Sequence, residues 1–183
     1  MKPKLFIVTG NQMKFKELSH TLEDFFDCEQ KIFNEPEIQG TPEEIINHKA
    51  KRAYEIFKGK VLVDDVSLHF EELNGFPGPY IKDFLRCFTP YEIGVKFINT
   101  RVKAICWLAI CSGEEVLITE GKVEGIVVKP KDKDHVDRHF DWFFQADGTD
   151  KPMIDFSTEE KNKFSHRGNA IKSLLEILKK ENK

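Results

Sequence analysis

Apolar residues in the first part of the chain follow two different spacings. Residues 5–8 form a short uninterrupted apolar run, which indicates a buried strand, and the apolar positions after residue 11 recur at helical spacing. Residues 32–33 predict a second strand. Thr41, followed by Pro42 and two glutamates, is typical of a helix start, and this helix is expected to reach about residue 57. The chain therefore begins as β-α-β-α.

The next part of the chain returns to a strand and then enters a long turn. Gly59 is expected to close the second helix, and residues 61–63 predict a buried strand that ends at Asp64 and Asp65. Residues 74–80 contain two glycines and two prolines, which predicts a rigid, turn-rich loop before a short helix.

Two short helices, a hairpin and a final helix are predicted after this loop. The short helices cover residues 81–87 and Pro90 to about residue 98. Residues 102–111 and 114–128 are rich in β-forming residues and indicate a long antiparallel hairpin joined at Ser112-Gly113. The last helix is predicted from about residue 167 to 179, because its leucines and isoleucine form one apolar stripe.

The composition narrows the classes of protein to consider. The 183 residues are 40% hydrophobic and 32% charged, which excludes disorder and fits one domain over residues 1–183. A net charge of -3 gives no positive field for nucleic acid, and no apolar run approaches the roughly 20 residues of a membrane helix. No signal peptide is expected. The 4 cysteines lack a C-x-x-C pair, so we expect reduced, buried thiols and a cytoplasmic protein.

A strand passes into a helix at Thr9-Gly10-Asn11, with Lys14 one turn into that helix. Such a turn directs backbone N–H groups and the positive end of the helix toward an anion, and Lys14 adds a full charge. The same residues also fit a simpler interpretation, in which they form only a turn and Asn11 caps the helix. The segment is neither a Walker A loop nor a dinucleotide-binding loop, because both require further glycines.

Asp64 and Asp65 follow a hydrophobic strand, where adjacent carboxylates are costly unless something pairs with them. A divalent metal would explain them, and because strand neighbours face opposite ways, only one has to bind it. The other is then available to orient water or to act as a base. Glu37, in the loop after a neighbouring strand, is a candidate to complete the site. The alternative is that each acid is a solvated loop residue.

Polar residues that suit a ligand gather at the start of the last predicted helix. Ser165 is a candidate N-cap, and His166 and Arg167 are candidate hydrogen-bond donors. Basic residues there oppose the helix dipole, which hints at a ligand, although such residues are also common on surfaces. Lys161 and Lys82 are further candidate phosphate contacts.

Taken in order, these segments resemble the inosine triphosphate pyrophosphatases, enzymes that hydrolyse non-standard purine nucleoside triphosphates. The resemblance spans nearly the whole chain and rests on co-linear motifs: Val8-Thr9-Gly10-Asn11 with Lys14, Pro36-Glu37-Ile38-Gln39-Gly40, Val61-Leu62-Val63-Asp64-Asp65, Gly75-Phe76-Pro77-Gly78-Pro79-Tyr80-Ile81-Lys82, Phe144-Gln145-Ala146-Asp147-Gly148, and Glu160-Lys161-Asn162 with Ser165-His166-Arg167. It implies an elongated α/β fold, in which a central mixed β-sheet flanked by helices divides into two lobes. It also implies an active-site cleft between the lobes and a homodimer.

The resemblance further implies roles for individual residues. The segment Thr9, Gly10, Asn11 and Lys14 would bind the triphosphate, Glu37 and Asp65 would hold Mg²⁺, with Mn²⁺ as an alternative, and His166 and Arg167 would read the base. Three lysines would contact phosphates or help to position the nucleotide: Lys49, Lys82 and Lys161.

One segment departs from this family. Where relatives usually carry Phe-Gly-Trp-Asp-Pro, a gapless alignment places residues 138–142, which keep the acid as Asp141 and one aromatic as Phe140. The other aromatic, the glycine and the proline are lost, so the stacking wall of the base pocket would come from Arg138 or His139. A two-residue slip would instead match both aromatics of the segment and lose the acid. The gapless register is preferred.

The expected reaction is attack of an activated water on the α-phosphorus, which releases pyrophosphate and a nucleoside monophosphate from ITP, dITP or XTP. Asp64 or Asp65 would act as the base, and Mg²⁺ and the lysines would neutralise developing charge. Two alternatives remain open. One is a nucleotide-binding sensor that has lost catalysis, and the other is a metal-dependent phosphatase that releases orthophosphate.

Overall fold

A computed structural model describes residues 1–133 and 138–181. Unit 1 and unit 2 are the two compact parts into which the chain divides. Unit 1 comprises Met1–Asp65, Cys106–Glu120 and Ala170–Lys183, and unit 2 comprises Val66–Ile105 and Gly121–Asn169. Three strands and the last helix contribute residues to both units.

The elements alternate in the order that the sequence predicts for an α/β protein. The strands are β1 (Lys4–Val8), β2 (Asp27–Lys31), β3 (Val61–Phe70), β4 (Pro77–Gly78), β5 (Arg101–Cys111), β6 (Val116–Val127) and β7 (Phe144–Ala146). The helices are α1 (Gln12–Leu22), α2 (Pro42–Phe57), α3 (Ile81–Cys87), α4 (Pro90–Lys96), α5 (Thr158–Phe164) and α6 (His166–Glu181). Short 3₁₀ turns lie at Glu71–Leu73, Phe140–Trp142 and Met153–Asp155.

The strands form one mixed sheet, in agreement with the predicted fold class. The strand order is β2-β1-β3-β5-β6-β7, and β4 pairs with β3. β1 runs parallel to β2 and β3, while the β3–β4 and β6–β7 pairs are antiparallel. β5 and β6 are neighbours joined by residues 112–115, which confirms the predicted hairpin.

In unit 1 the core lies between α2 and the sheet. Ile46, Ala50 and Ala53 of α2 are completely buried in one apolar cluster with residues of β1, β3 and β5. The small alanine side chains allow close approach of helix and sheet. A capping box fixes the start of α2, because Thr41 accepts a hydrogen bond from the Glu44 N–H and Glu44 accepts one from the Thr41 N–H, worth about 1 kcal/mol.

In unit 2 the core is aromatic. The Phe70 ring lies 5.3 to 6.3 Å, between centroids, from the rings of Phe84, Phe97 and Phe143. These rings belong to a cluster that also includes residues of β5, β6 and β7. Tilted and edge-to-face packing of this kind is favourable beyond the area that it buries.

Four details of the sequence interpretation are wrong. The second strand, β2, lies just before residues 32–33, and Ile32 is 67% exposed. The prediction missed β2 because it is an edge strand of mostly polar residues, which a hydrophobic pattern does not reveal. Lys58, with a φ of 53°, adopts the left-handed conformation that closes α2 in place of Gly59. The strand β3 continues past Asp64 and Asp65. All four cysteines are free, but Cys87 is exposed rather than buried.

None of the helices in residues 1–133 and 138–181 combines the length and the apolar character of a membrane span. The expectation of a single domain stays a prediction.

Candidate active site

The turn between β1 and α1 is held by its own side chains. Thr9 Oγ1 accepts a hydrogen bond from the Asn11 N–H at 3.2 Å, and Asn11 Oδ1 accepts one from the Lys14 N–H at 3.2 Å. Asn11 therefore caps α1, as the simpler interpretation predicts, and this is compatible with anion binding at the same helix end. A Cβ atom placed on Gly10 would meet nothing within 4 Å, so the space beside this backbone is open.

A residue that sequence reasoning missed also positions this turn. Gln30 Nε2 donates a hydrogen bond to the Thr9 carbonyl at 2.9 Å. Gln30 lies opposite Ile7 in the parallel β1–β2 pair. Only the register of that pair identifies it, because a polar residue on an edge strand carries no signal of its own.

Lys14 pairs with Asp64. The register of β1 and β3, with Ile7 opposite Leu62, brings Asp64 level with the turn that follows β1. Lys14 Nζ lies 2.8 Å from Asp64 Oδ2, and the Asp64 side chain is only 6% exposed. A charge-assisted bond of this length satisfies a buried carboxylate.

Lys49 meets three oxygen atoms on the other face of β3. This lysine lies on α2, and its Nζ is 3.0 Å from the Asp64 carbonyl oxygen, 3.3 Å from Glu37 Oε1 and 3.5 Å from Asp65 Oδ1. Asp64 and Asp65 thus use different lysines, as alternation along a strand requires. The structure brings together Lys14, Asp64, Lys49, Asp65 and Glu37 within unit 1.

Electrostatics distinguish Asp65 from an ordinary surface acid. Burial raises the pKa of Asp65 to about 6; the Lys49 ammonium opposes this shift, and negative charge on Glu37 and Asp64 adds to it. Burial lowers the pKa of Lys49, but the surrounding carboxylates outweigh burial and raise it above its ordinary value. Lys49 therefore stays charged at neutral pH, and its contact with Asp65 does not fully compensate the burial of that carboxylate.

The donor atoms around Lys49 suit a hard divalent cation. Two carboxylates and a backbone carbonyl, all oxygen ligands, converge on one ammonium, which stands where a cation is required. No group of three or more His, Cys, Asp or Glu residues in the described ranges is placed to bind a metal by itself. Two carboxylates fit Mg²⁺, because Mg²⁺ in nucleotide sites takes one or two protein carboxylates and completes its shell with phosphate and water.

In unit 2, Asp141 has its own lysine. Asp141 lies in the 3₁₀ turn Phe140–Trp142, and Lys161 Nζ on α5 is 2.8 Å from Asp141 Oδ2. His139 Nδ1 is 3.4 Å from both Asp141 Oδ1 and the Asp141 N–H, so it accepts from the N–H when neutral and pairs with the carboxylate when protonated. Burial by itself raises the pKa of Asp141, but His139 and Lys161 hold it well below its ordinary value.

His139, rather than Arg138, forms the exposed aromatic surface of this segment. The His139 ring stacks on Phe140, with centroids 5.4 Å apart and an interplanar angle of 21°, and its side chain is 58% exposed. Phe140 is buried between His139 and His166, whose ring centroid is 5.5 Å away. Arg138 Nη1 donates to the carbonyls of Leu85 and Arg86 at 2.8 Å each, so it ties the segment to the end of α3.

The start of α6 is fixed by Ser165, as predicted. Ser165 Oγ accepts a hydrogen bond from the Gly168 N–H at 3.1 Å. A Cβ atom on Gly168 would lie 2.2 Å from the Asn162 carbonyl oxygen, so only glycine allows α5 and α6 to approach here. This junction places the buried His166 and the half-buried Arg167 in the first turn of α6.

Two features of unit 2 lie apart from these clusters. Lys82 is exposed on α3 and makes no hydrogen bond or ion pair with any residue in the described ranges. A cavity of about 490 Å³ is lined by residues that include His69, Asn74, Lys103 and Glu124, and it contains none of the candidate residues.

The comparisons with known proteins agree on one family. The model of the Ham1 family matches residues 5–177. An inosine triphosphate pyrophosphatase of Aspergillus fumigatus is 35% identical over 182 residues, which cover 96% of this chain and 94% of the relative. An inosine triphosphate pyrophosphatase of Schizosaccharomyces pombe is 34% identical over 184 residues, which cover 97% and 96%.

The fold comparison agrees as well. A HAM1 protein of Coxiella burnetii superposes with a TM-score of 0.82 and 22% identity, over 98% of this chain and all of that protein. At this identity the likeness shows the fold alone, and it confirms the predicted α/β architecture.

Proposed function

The chain belongs to the Ham1 family, and from this premise we propose that it hydrolyses non-standard purine nucleoside triphosphates such as ITP, dITP and XTP to the nucleoside monophosphate and pyrophosphate. One observation of the structure carries the proposal. Glu37 and Asp65 both contact the ammonium of Lys49 in unit 1, and Asp64 contacts Lys14 at the turn before α1. Such a site offers oxygen ligands for a metal and positive charge for phosphates.

Thr9, Gly10, Asn11, Lys14 and Lys49 bind the triphosphate in this proposal. The open space beside Gly10 admits a phosphate next to the positive N-terminal end of α1. Asp64 holds Lys14 in place through the 2.8 Å contact and is therefore a positioning residue.

Glu37 and Asp65 hold Mg²⁺, or Mn²⁺ in its place. When bound, the metal would neutralise charge on the phosphate oxygens. Asp65 has two carboxylate oxygens, so it has one for the metal and one to accept a proton from water. Asp65 suits the role of base better than Asp64, because the Asp64 carboxylate is already paired with Lys14 at 2.8 Å.

The bonds change at the α-phosphorus. The water oxygen forms a bond to this phosphorus and gives a proton to Asp65, and the bond from the α-phosphorus to the bridging oxygen breaks. The electron pair of that bond leaves with pyrophosphate, whose negative charge Lys14 and Lys49 stabilise. One cleavage removes both outer phosphates, which suits an enzyme that removes non-standard nucleoside triphosphates from the nucleotide pool.

The unit 2 residues recognise the base. His166 and Arg167 donate hydrogen bonds to the 6-keto oxygen of hypoxanthine or xanthine, which adenine lacks. His139 supplies the exposed stacking surface on top of Phe140. Lys161 holds the Asp141 carboxylate at 2.8 Å, and it stays a proposed contact of the nucleotide, as the resemblance implies.

Several expectations complete the proposal. Lys82 stays a proposed phosphate contact, as the resemblance implies. We expect a cytoplasmic homodimer that acts on a small-molecule nucleotide, with neither nucleic acid nor a membrane as a partner.

The deciding experiment measures pyrophosphate and orthophosphate released from ITP by the purified protein with Mg²⁺. We expect inosine monophosphate and pyrophosphate in equal amounts and no orthophosphate. Orthophosphate as the first product would identify a different phosphatase. Tight binding of ITP without any product would identify a nucleotide sensor.

A further inference from the structure

Three candidate lysines contact aspartates, and Lys49 is held differently from Lys14 and Lys161. Lys14 and Lys161 each lie 2.8 Å from one aspartate oxygen, the usual length of a charge-assisted bond. Lys49 instead shares its ammonium among three oxygens at 3.0, 3.3 and 3.5 Å. No single contact to a carboxylate is short, so no one of them fixes Lys49.

The contacts of Lys49 are those of a cation in a coordination site. The ammonium lies between Glu37 and Asp65, the two carboxylates that are proposed to hold the metal. The ammonium and a metal ion cannot both lie between these carboxylates, because they would compete for the same oxygens and repel each other. A metal that binds these carboxylates must therefore replace the ammonium.

The surroundings of Lys49 allow this exchange. Its side chain is 29% exposed, so the protein does not enclose it completely. Its backbone lies on α2, which the capping box and the buried alanines fix, whereas its stem has four flexible carbons. The ammonium can move without any movement of the helix.

We infer that Lys49 is an exchangeable counter-ion, which occupies the place between Glu37 and Asp65 until a divalent cation binds there and then turns to the triphosphate. The last step rests on the proposed function. The exchange makes metal and nucleotide binding cooperative, because metal binding releases the lysine that the phosphates need. It also keeps the carboxylates from being left without a cation when the metal is absent.

The first test measures Mn²⁺ affinity without nucleotide, by calorimetry, in wild type, Lys49→Met and Lys14→Met. We expect Lys49→Met to bind Mn²⁺ about tenfold more tightly than wild type, because the competing charge is gone. Lys14→Met is the matched control, since it removes the same charge from the neighbouring aspartate, and should change the affinity less than about threefold. Circular dichroism verifies that each variant is folded.

Two results would overturn the inference. Unchanged or weaker Mn²⁺ binding by Lys49→Met would mean that the ammonium does not compete with the metal. An equal gain in Lys14→Met would mean that any nearby positive charge has the same effect.

The second test measures cooperativity with an ITP analogue that carries a methylene group between the α- and β-phosphorus atoms. The analogue should strengthen Mn²⁺ binding at least about threefold more in wild type than in Lys49→Met. Equal strengthening in both proteins would contradict the release of Lys49 to the phosphates. If wild type does not bind the analogue at all, the proposed function fails, while the Mn²⁺ titrations still decide whether Lys49 is exchangeable.

Discussion

Asp65 in unit 1 and Asp141 in unit 2 are both buried aspartates that contact a lysine, yet their pKa values move in opposite directions. The pKa of Asp65 rises to about 6, because burial outweighs a lysine contact of 3.5 Å. The pKa of Asp141 falls well below its ordinary value, because Lys161 at 2.8 Å and His139 outweigh burial. Length and number of contacts, rather than burial alone, decide the outcome.

The difference separates two kinds of functional residue. Residues of the protein, Lys161 and His139, compensate the charge of Asp141, so this carboxylate needs no ligand to stabilise it. Asp65 is incompletely compensated, so a ligand that brings positive charge gains energy there. A buried acid with a raised pKa is accordingly the stronger indicator of chemistry in this molecule.

The largest expected effect comes from Asp65→Asn. This change removes the charge of Asp65 and preserves its shape, so we expect kcat/KM for ITP with saturating Mg²⁺ to fall by at least about a thousandfold, or ~4 kcal/mol. Circular dichroism should be unchanged. A loss below about tenfold in a folded variant would show that Asp65 is not central to the reaction.

Asp141→Ala should lower stability more than Asp65→Ala does. Without Asp141, the charged Lys161 side chain, which is only 23% exposed, has lost its partner. We therefore expect the free energy of unfolding, measured in urea, to fall by about 3 kcal/mol. Asp65→Ala leaves Lys49 in contact with Glu37 and the Asp64 carbonyl and removes a carboxylate whose burial is not fully compensated, so it should not lower stability in metal-free buffer at about pH 7. Equal losses would contradict the contrast between the two aspartates.

Arg167→Ala should collapse base selectivity. If Arg167 donates to the 6-keto oxygen, ATP presents a donor against a donor, and wild type should prefer ITP to ATP by about a hundredfold in kcat/KM. The variant should bring the two substrates within about tenfold. The measurement is a kcat/KM series over ITP, XTP, GTP and ATP, and an unchanged ratio in the variant would remove Arg167 from base recognition.

The two aspartates should respond to acid with opposite signs. Asp141 has a lowered pKa in the folded state, so its contribution to stability is present above about pH 4 and is lost as the pH falls below it. Asp65 has a folded pKa of about 6, so it lowers stability above pH 6, and this cost disappears as the pH falls toward 4.

Urea unfolding in metal-free buffer measures this difference. Asp65→Asn should be more stable than wild type by ~2 kcal/mol at pH 7, and the two should converge near pH 4. A constant difference across this range would mean that the pKa of Asp65 is not raised.

His139→Ala should have the smallest effect. It removes the exposed stacking ring but leaves Phe140 and the Lys161–Asp141 pair, so KM for ITP should rise about threefold to tenfold with little change in kcat. Arg138→Ala is the comparison, since Arg138 contacts the end of α3 and should alter stability rather than KM. A larger KM effect in Arg138→Ala would reverse the assignment of the stacking wall.

Local signals in the sequence predicted most of the elements. The bounds of α2 and α3 agree with the prediction, because capping residues and prolines act within a few positions of the element that they define. β2 was misplaced, since an edge strand with polar residues on both faces carries no hydrophobic period. Helix α5 was not predicted, because its seven residues include no buried side chain and therefore form no apolar stripe.

The candidate site was predictable as a set of residues but not as a set of contacts. Motifs singled out Lys14, Glu37, Asp64 and Asp65 by type and order, and the family resemblance added Lys49. Which lysine meets which acid depends on the register of β1 and β3 and on where α2 lies against the sheet. Lys14 and Asp64 are 50 positions apart, so no local rule relates them.

The sequence by itself determined the α/β order of elements, the helix caps and membership of the Ham1 family, because each depends on residue type and short spacing. Only the tertiary structure decided that Asp65 is under-compensated while Asp141 is paired, that Arg138 ties down α3, and that His139 is the exposed ring. The physical reason is that electrostatic energy depends on separation and burial, and both are set by the packing of distant segments.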